Sequence, residues 1–329
     1  MNNLKKIGLS ALAGSLVAIS ANAAELSVSG SVEVTYTDTG GTVGNEVTGN
    51  SFGAKSDMTF TGSGDVGFGT VTMNRALSDA GAITTSYQTL DMGDMGTLSF
   101  DSTAGQLVGI AANDDLMPTA YEEVWTGVSG SGISGVGSTN VIGYTNTFSG
   151  VSISAGYTNG EGAAQTTEST SSGAGAHGST RDIYLSMSPI DGLTIGAGQA
   201  VNSSTDLGTQ STDTVESIGN IVYTMGPVAA GYTVKESEDG TSGAASHEIT
   251  GWSVAFNVND NFAISYGELE NEQKATSTAV AVTEDVTGLS AAYTMGAASV
   301  RFNHSESSND GHVSGTDDET TEISLALSF

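Results

Sequence analysis

From Thr321 to the terminal Phe329 the chain sets Ile323, Leu325, Leu327 and Phe329 on one side and Glu322, Ser324, Ala326 and Ser328 on the other. A period of two is the mark of a β-strand, whose successive side chains point to opposite faces. One face here is apolar and the other wet. The pattern recurs along the chain between turn signals. Leu26, Val28, Val32, Val34 and Tyr36 share a face, as do Phe52, Ala54, Met58 and Phe60, then Val71 with Met73, and Ile83 with Thr85 and Tyr87. After Leu98 and Phe100 and a long gap it resumes at Ile142, and it continues to the end of the chain. The segments number about sixteen.

The connections alternate in length. Short ones fall at Gly62 to Asp65, Gly93 to Met95, Ser149-Gly150, Pro189 to Gly192, Gly226-Pro227, Asn259 to Asn261 and Gly296-Ala297, and the intervening ones are mostly long and polar. Such alternation is expected of an all-β, antiparallel up-and-down transmembrane barrel with short periplasmic turns and long external loops. Pro118, Pro189 and Pro227 are expected outside strand interiors, where a missing N–H would break the ladder. Tyr223-Thr224-Met225-Gly226 and Tyr293-Thr294-Met295-Gly296 repeat one turn, each placing a tyrosine where an interfacial aromatic girdle belongs.

Lys5 and Lys6, an apolar run from Ile7 to about Ile19 and Ala21-Asn22-Ala23 read as a secretory signal peptide over residues 1–23, leaving a barrel domain over 24–329. Losing Lys5 and Lys6 from 8 Lys+Arg against 37 Asp+Glu takes the formal charge from −29 to −31. That charge excludes nucleic acid as a partner and argues against an anion pore, which would want rings of Arg or Lys. Cysteine is absent, so neither disulfides nor a thiolate metal site are available. His177, His247, His304 and His312 show no metal-ligand spacing, and no catalytic constellation stands out; the chain does not read as an enzyme and implies no cofactor.

With its sixteen segments, its terminal phenylalanine and a gap of almost forty residues after the fifth segment, the chain resembles the general diffusion porins of Gram-negative bacteria, especially the alphaproteobacterial ones. The resemblance implies a homotrimer in the cell outer membrane, in contact with lipid and lipopolysaccharide, and a third loop over residues 101–139 that folds into the lumen. Asp101, Asp114, Asp115, Glu122 and Glu123 lie in that span, and no base does. Carboxylates in a narrow lumen would concentrate cations and repel anions; the plainer alternative is that they solvate a surface loop. Porins of this family oppose the acidic loop with basic residues on the wall. Lys55 and Arg301, each on a polar strand face, are the candidates here, brought to one wall by barrel closure. Arg75 is in phase with Val71 and Met73 and is expected to snorkel at the membrane interface or turn with the loop. The Gly-Arg that many relatives carry at the end of strand five is replaced by Phe100-Asp101, and the Pro-Glu-Phe-Gly-Gly loop motif of enteric porins is missing.

The function expected is a water-filled, cation-preferring channel for small hydrophilic solutes and ions. Acid runs at Glu236, Glu238 and Asp239, at Glu268, Glu270 and Glu272, and at Asp317, Asp318 and Glu319 are expected in external loops, where they could loosely hold Ca2+. The rival reading is a secreted, acidic, β-rich surface-layer protein or adhesin, which explains the charge but predicts neither the terminal phenylalanine nor the alternating connections.

Overall fold

The computed structural model describes residues 25–42, 49–103, 108–128, 135, 140–159, 179–204, 212–240, 245–276 and 280–329; the segment read as a signal peptide lies outside them. The strands are β1 (Glu25–Gly41), β2 (Phe52–Asp65), β3 (Thr70–Ser78), β4 (Ile83–Asp91), β5 (Thr97–Thr103), β6 (Val141–Phe148), β7 (Val151–Asn159) and β8 (Ser179–Ile190). They continue as β9 (Leu193–Ser204), β10 (Thr212–Met225), β11 (Val228–Asp239), β12 (His247–Asn259), β13 (Phe262–Gln273), β14 (Val282–Met295), β15 (Ala298–Ser308) and β16 (Asp317–Ser328). Each is hydrogen-bonded antiparallel to its sequence neighbours, and β16 returns to β1 to close the barrel. Closure leaves no unpaired edge, the condition for a sheet to sit in lipid.

The closing seam uses the alternation of the last strand. Val32 stands opposite Leu327, Val34 opposite Leu325 and Tyr36 opposite Ile323. Phe329 continues the ladder: its N–H donates to the Gly30 carbonyl and its own carbonyl accepts from the Gly30 N–H, both at 2.9 Å. The barrel is inverted relative to a soluble protein. Val34 is 50% and Leu325 45% exposed on the outer face, whereas Ser253, Asn303 and Ser324 are buried on the inner one. An apolar belt of that extent matches a hydrocarbon solvent.

The structure shifts four local readings. β2 runs on to Asp65, so its turn lies at 66–69, closed by the Val66 N–H donating to the Gly69 carbonyl. Pro189 falls inside β8, at a register shift between Met187 and Ile190 against β9; a bulge there accommodates a residue with no N–H. Register shifts flank β4 on both sides, and they turn Tyr87 to the lumen face opposite Asn74 and Asp101. The acid runs expected in external loops lie instead at the outer ends of β11, β13 and β16, because these strands continue past the apolar belt.

Candidate functional site

Residues 108–128 lie against the lumen wall, and their contacts move around the barrel as the chain advances. Gly109 N–H donates to Ser154 Oγ of β7 at 2.8 Å, and Ile110 N–H to Asp182 Oδ1 of β8 at 2.7 Å. Asn220 Nδ2 of β10 donates to the Asn113 carbonyl at 2.8 Å, and Ser253 Oγ of β12 to the Pro118 carbonyl at 2.8 Å. Ala120 N–H then donates to Ser265 Oγ of β13 at 2.8 Å, and Tyr121 N–H to Ser290 Oγ of β14 at 3.2 Å. Thr320 Oγ1 of β16 donates to the Gly127 carbonyl at 2.6 Å. A segment without regular structure must satisfy its buried backbone groups this way or pay for their desolvation.

Apolar side chains fill the spaces between these bonds. Ile110 packs with Tyr184, Ala200 and Ile218, while Met117 and Val124 pack with Ile249, Leu269 and Val286. Glycines on the wall make the room. A Cβ on Gly231 would meet Pro118, and one on Gly288 would come within 2.6 Å of Val124 Cα. The fold therefore puts glycine where the loop backbone touches the sheet.

Two charge clusters occupy the lumen. In the first, Glu33 of β1 accepts from Lys55 Nζ at 2.9 Å and from Arg301 Nη1 at 3.4 Å, and Ser324 Oγ also donates to it. The Tyr121 hydroxyl donates to Glu322 at 2.9 Å and reaches Glu33 at 3.3 Å, and the Arg301 guanidinium lies 4.9 Å from the centre of its ring. Burial and the Glu322 carboxylate push the Tyr121 phenol well above its ordinary range, so it remains a donor. Glu122 lies within electrostatic range of Lys55.

The second cluster surrounds Lys235 of β11, which is fully buried with its ammonium 4.8 Å from the Trp125 ring centre. Asp114, Asp115 and Glu123 all act on it. Burial raises the Asp115 carboxyl to about 7, helped by its hydrogen bond to Glu123 and the charge of Glu123, with Lys235 opposing. Asp114 is raised by burial, again against Lys235. Glu123 also accepts from Thr126 Oγ1 at 3.0 Å.

Lys55 and Arg301 thus meet on one wall, and they do so through Glu33. Asp114, Asp115 and Glu123 gather around Lys235, with Glu122 on the side of Lys55. Asp101 stands apart: it lies in β5 opposite Val141, fully buried on the wall. Arg75 shares the outer face with Phe60, its register partner on β2. Sequence reasoning missed Glu33, Lys235, Tyr121, Asp182 and Glu216, the last of which accepts the Gly135 N–H at 2.8 Å. Alternation could have placed Glu33 and Lys235 in the lumen, since Val32, Val34 and Val234 beside them face lipid.

A family model for Gram-negative porins matches residues 8–329. Among solved structures, OmpF of Salmonella typhi in complex with daunomycin is similar with a TM-score of 0.68 at 12% identity, over 92% of this chain and 97% of that one. OmpT of Vibrio cholerae gives 0.66 at 14% over 94% and 99%. An anion-selective porin from Comamonas acidovorans gives 0.64 at 15% over 93% and 100%. At these identities the likeness speaks for the fold. No curated protein sequence matches significantly.

Proposed function

We propose, from the premise that this chain belongs to the Gram-negative porin family, that its outer-membrane channel passes small hydrophilic solutes and ions passively and prefers cations. Sixteen strands close the barrel, a size that leaves an aqueous channel, and with the family match this supports a channel rather than an enzyme. Passage is downhill and draws on no cofactor.

The observation that supports the preference is how the lumen charges pair. Glu33 occupies both wall cations, Lys55 and Arg301, and Lys235 is buried behind the loop facing Asp114, Asp115 and Glu123. Glu122 and Glu322 add to the acids on the same side. A passing ion therefore meets carboxylates in excess over bases, in a passage narrowed by residues 108–128. Fixed charge of one sign in a low-dielectric wall enriches the counter-ion and excludes the co-ion. A homotrimer set in lipid and lipopolysaccharide is the assembly we infer; one of the similar solved structures, OmpT of Vibrio cholerae, is described in a trimer form.

Liposome swelling with size-matched solutes tests this. Entry of an amine-bearing solute faster than a neutral one, and of both faster than a carboxylate-bearing one, is expected. Equal rates for all three would leave an open pore without the charge filter, and swelling by none would remove the channel.

A further inference from the structure

The fold brings together two histidines that are 65 residues apart in sequence. His247 opens β12, and His312 lies in the 3-10 turn Asp310–His312 of the external connection between β15 and β16. Their ring centres are 4.9 Å apart with planes at 64°. Asn271 of β13 orients both. Its side-chain Oδ1 lies 3.3 Å from His247 Nδ1, and its backbone bonds the His312 ring. His312 Nε2 is buried without a partner, so the bond to Asn271 belongs to Nδ1. Each ring therefore carries its proton on Nδ1 and leaves an Nε2 lone pair.

That tautomer, fixed by a polar neighbour on the other nitrogen, leaves Nε2 as the ligating atom, one of the two ways in which an imidazole holds a metal. The spacing suits it as well: two imidazoles bound through nitrogen at about 2 Å to one tetrahedral ion hold their ring centres roughly 5 Å apart. A third donor is close. Glu284 of β14 is 1% exposed, its Oε1 has no hydrogen-bond partner, and its carboxylate receives the N–H of Gly311, the residue before His312. Glu284 is also the register partner of Asn271. The turn that presents His312 is held in a left-handed backbone at three places, with φ of 55° at Asn309, 60° at Gly311 and 61° at His312. That conformation is uncommon outside glycine, although Asn and His adopt it more readily than most residues, and it persists where surrounding structure fixes it.

We propose that His247, His312 and Glu284 form a site for one zinc-class divalent ion at the external mouth of the barrel. The ion would tie the β15–β16 connection to β12 and β14. Among the described residues no group of three such side chains stands ready to hold a metal ion; in the proposed site the two imidazoles take the ion first and the Glu284 carboxylate closes on it. The imidazole pair selects zinc, copper or nickel over calcium and magnesium, which take oxygen ligands. This sets the site apart from the acid runs at the strand ends.

Calorimetric titration of the folded, detergent-solubilised protein with zinc chloride, in excess magnesium to occupy the surface carboxylates, tests the site. One zinc per chain is expected. His312→Gln and His247→Gln should each weaken binding by at least about tenfold, and Asn271→Leu by a comparable factor through loss of ring orientation. His312 sits in an external connection, so its variant keeps the barrel, checked by retained heat-modifiable migration. Zinc heats no larger than those of added magnesium, or wild-type affinity in folded His312→Gln, would overturn the proposal.

Discussion

Replacing Glu33 by glutamine keeps the shape of the residue and removes the charge that Lys55 and Arg301 share. The Glu33 side chain is 8% exposed, Lys55 66% and Arg301 30%. The exposed lysine contributes little to stability through this pair, so the barrel should fold. The effect falls on ions instead. The cluster gains about one positive charge facing the lumen. A unit charge acts on an ion about 4 Å away with about 1 kcal/mol in water, and a Debye length of about 8 Å at physiological salt reduces this to roughly 0.6 kcal/mol. That is close to thermal energy, so cation occupancy should fall roughly threefold and anion occupancy rise by the same factor. The permeability ratio of cation to anion should then drop by close to one order of magnitude. Reversal potentials of wild type, Glu33→Gln and the charge-conserving Glu33→Asp, in planar bilayers under a KCl gradient, read this directly. A folded Glu33→Gln channel with the wild-type reversal potential would refute the reasoning, since Lys55 and Arg301 would then not be in electrical contact with the permeating ions.

Lys235→Met removes the cation that faces Asp114, Asp115 and Glu123. Breaking a buried pair of this kind costs about 3–5 kcal/mol, enough to unseat the loop, and single-channel conductance should rise while Trp125 fluorescence shifts to the red. The Asp115 carboxyl, raised from 3.8 to about 7 in the seated loop, binds its proton more tightly there than when the loop is exposed. Seating should therefore weaken as pH rises from about 4 through about 7, with noisier current above that range, and Asp115→Asn should flatten the dependence. Gly288→Ala places a Cβ 2.6 Å from Val124 Cα and 2.7 Å from its carbonyl oxygen, where no side-chain rotation relieves it. Its conductance should depart from wild type, whereas Gly219→Ala, with nothing within 4 Å, should not alter it.

Alternation carried the barrel. Every strand can be found from apolar residues at every second position, because a lipid-facing row leaves that trace even in a short segment such as Leu98 and Phe100. The exceptions have local causes: register shifts beside β4 rotate Tyr87 inward, and a bulge absorbs Pro189. Parity gives a residue's face but not its height, and height decides which charges meet. Lys55 and Arg301 could be placed on one wall from the order of strands; that Glu33 lies between them depends on the stagger of β1 against β16 and β2. Lys235 was hidden in another way. A lysine on a wet face reads as solvated, and only the return of residues 108–128 to the wall buries it. The glycines posed the same difficulty, since Gly231 and Gly288 look like gaps in a sheet until the loop that fills them is in place. His247 and His312 are brought together by a turn whose backbone conformation no sequence pattern announces.

The reversal potential of the wild-type protein across a planar lipid bilayer under a KCl gradient tests the cation preference most directly. Stable stepwise conductance with a potential displaced toward the potassium equilibrium value is predicted, and it should be displaced further at low salt, where the lumen carboxylates are less screened. A potential near zero, or one displaced toward chloride, would contradict a channel lined by carboxylates in excess over bases.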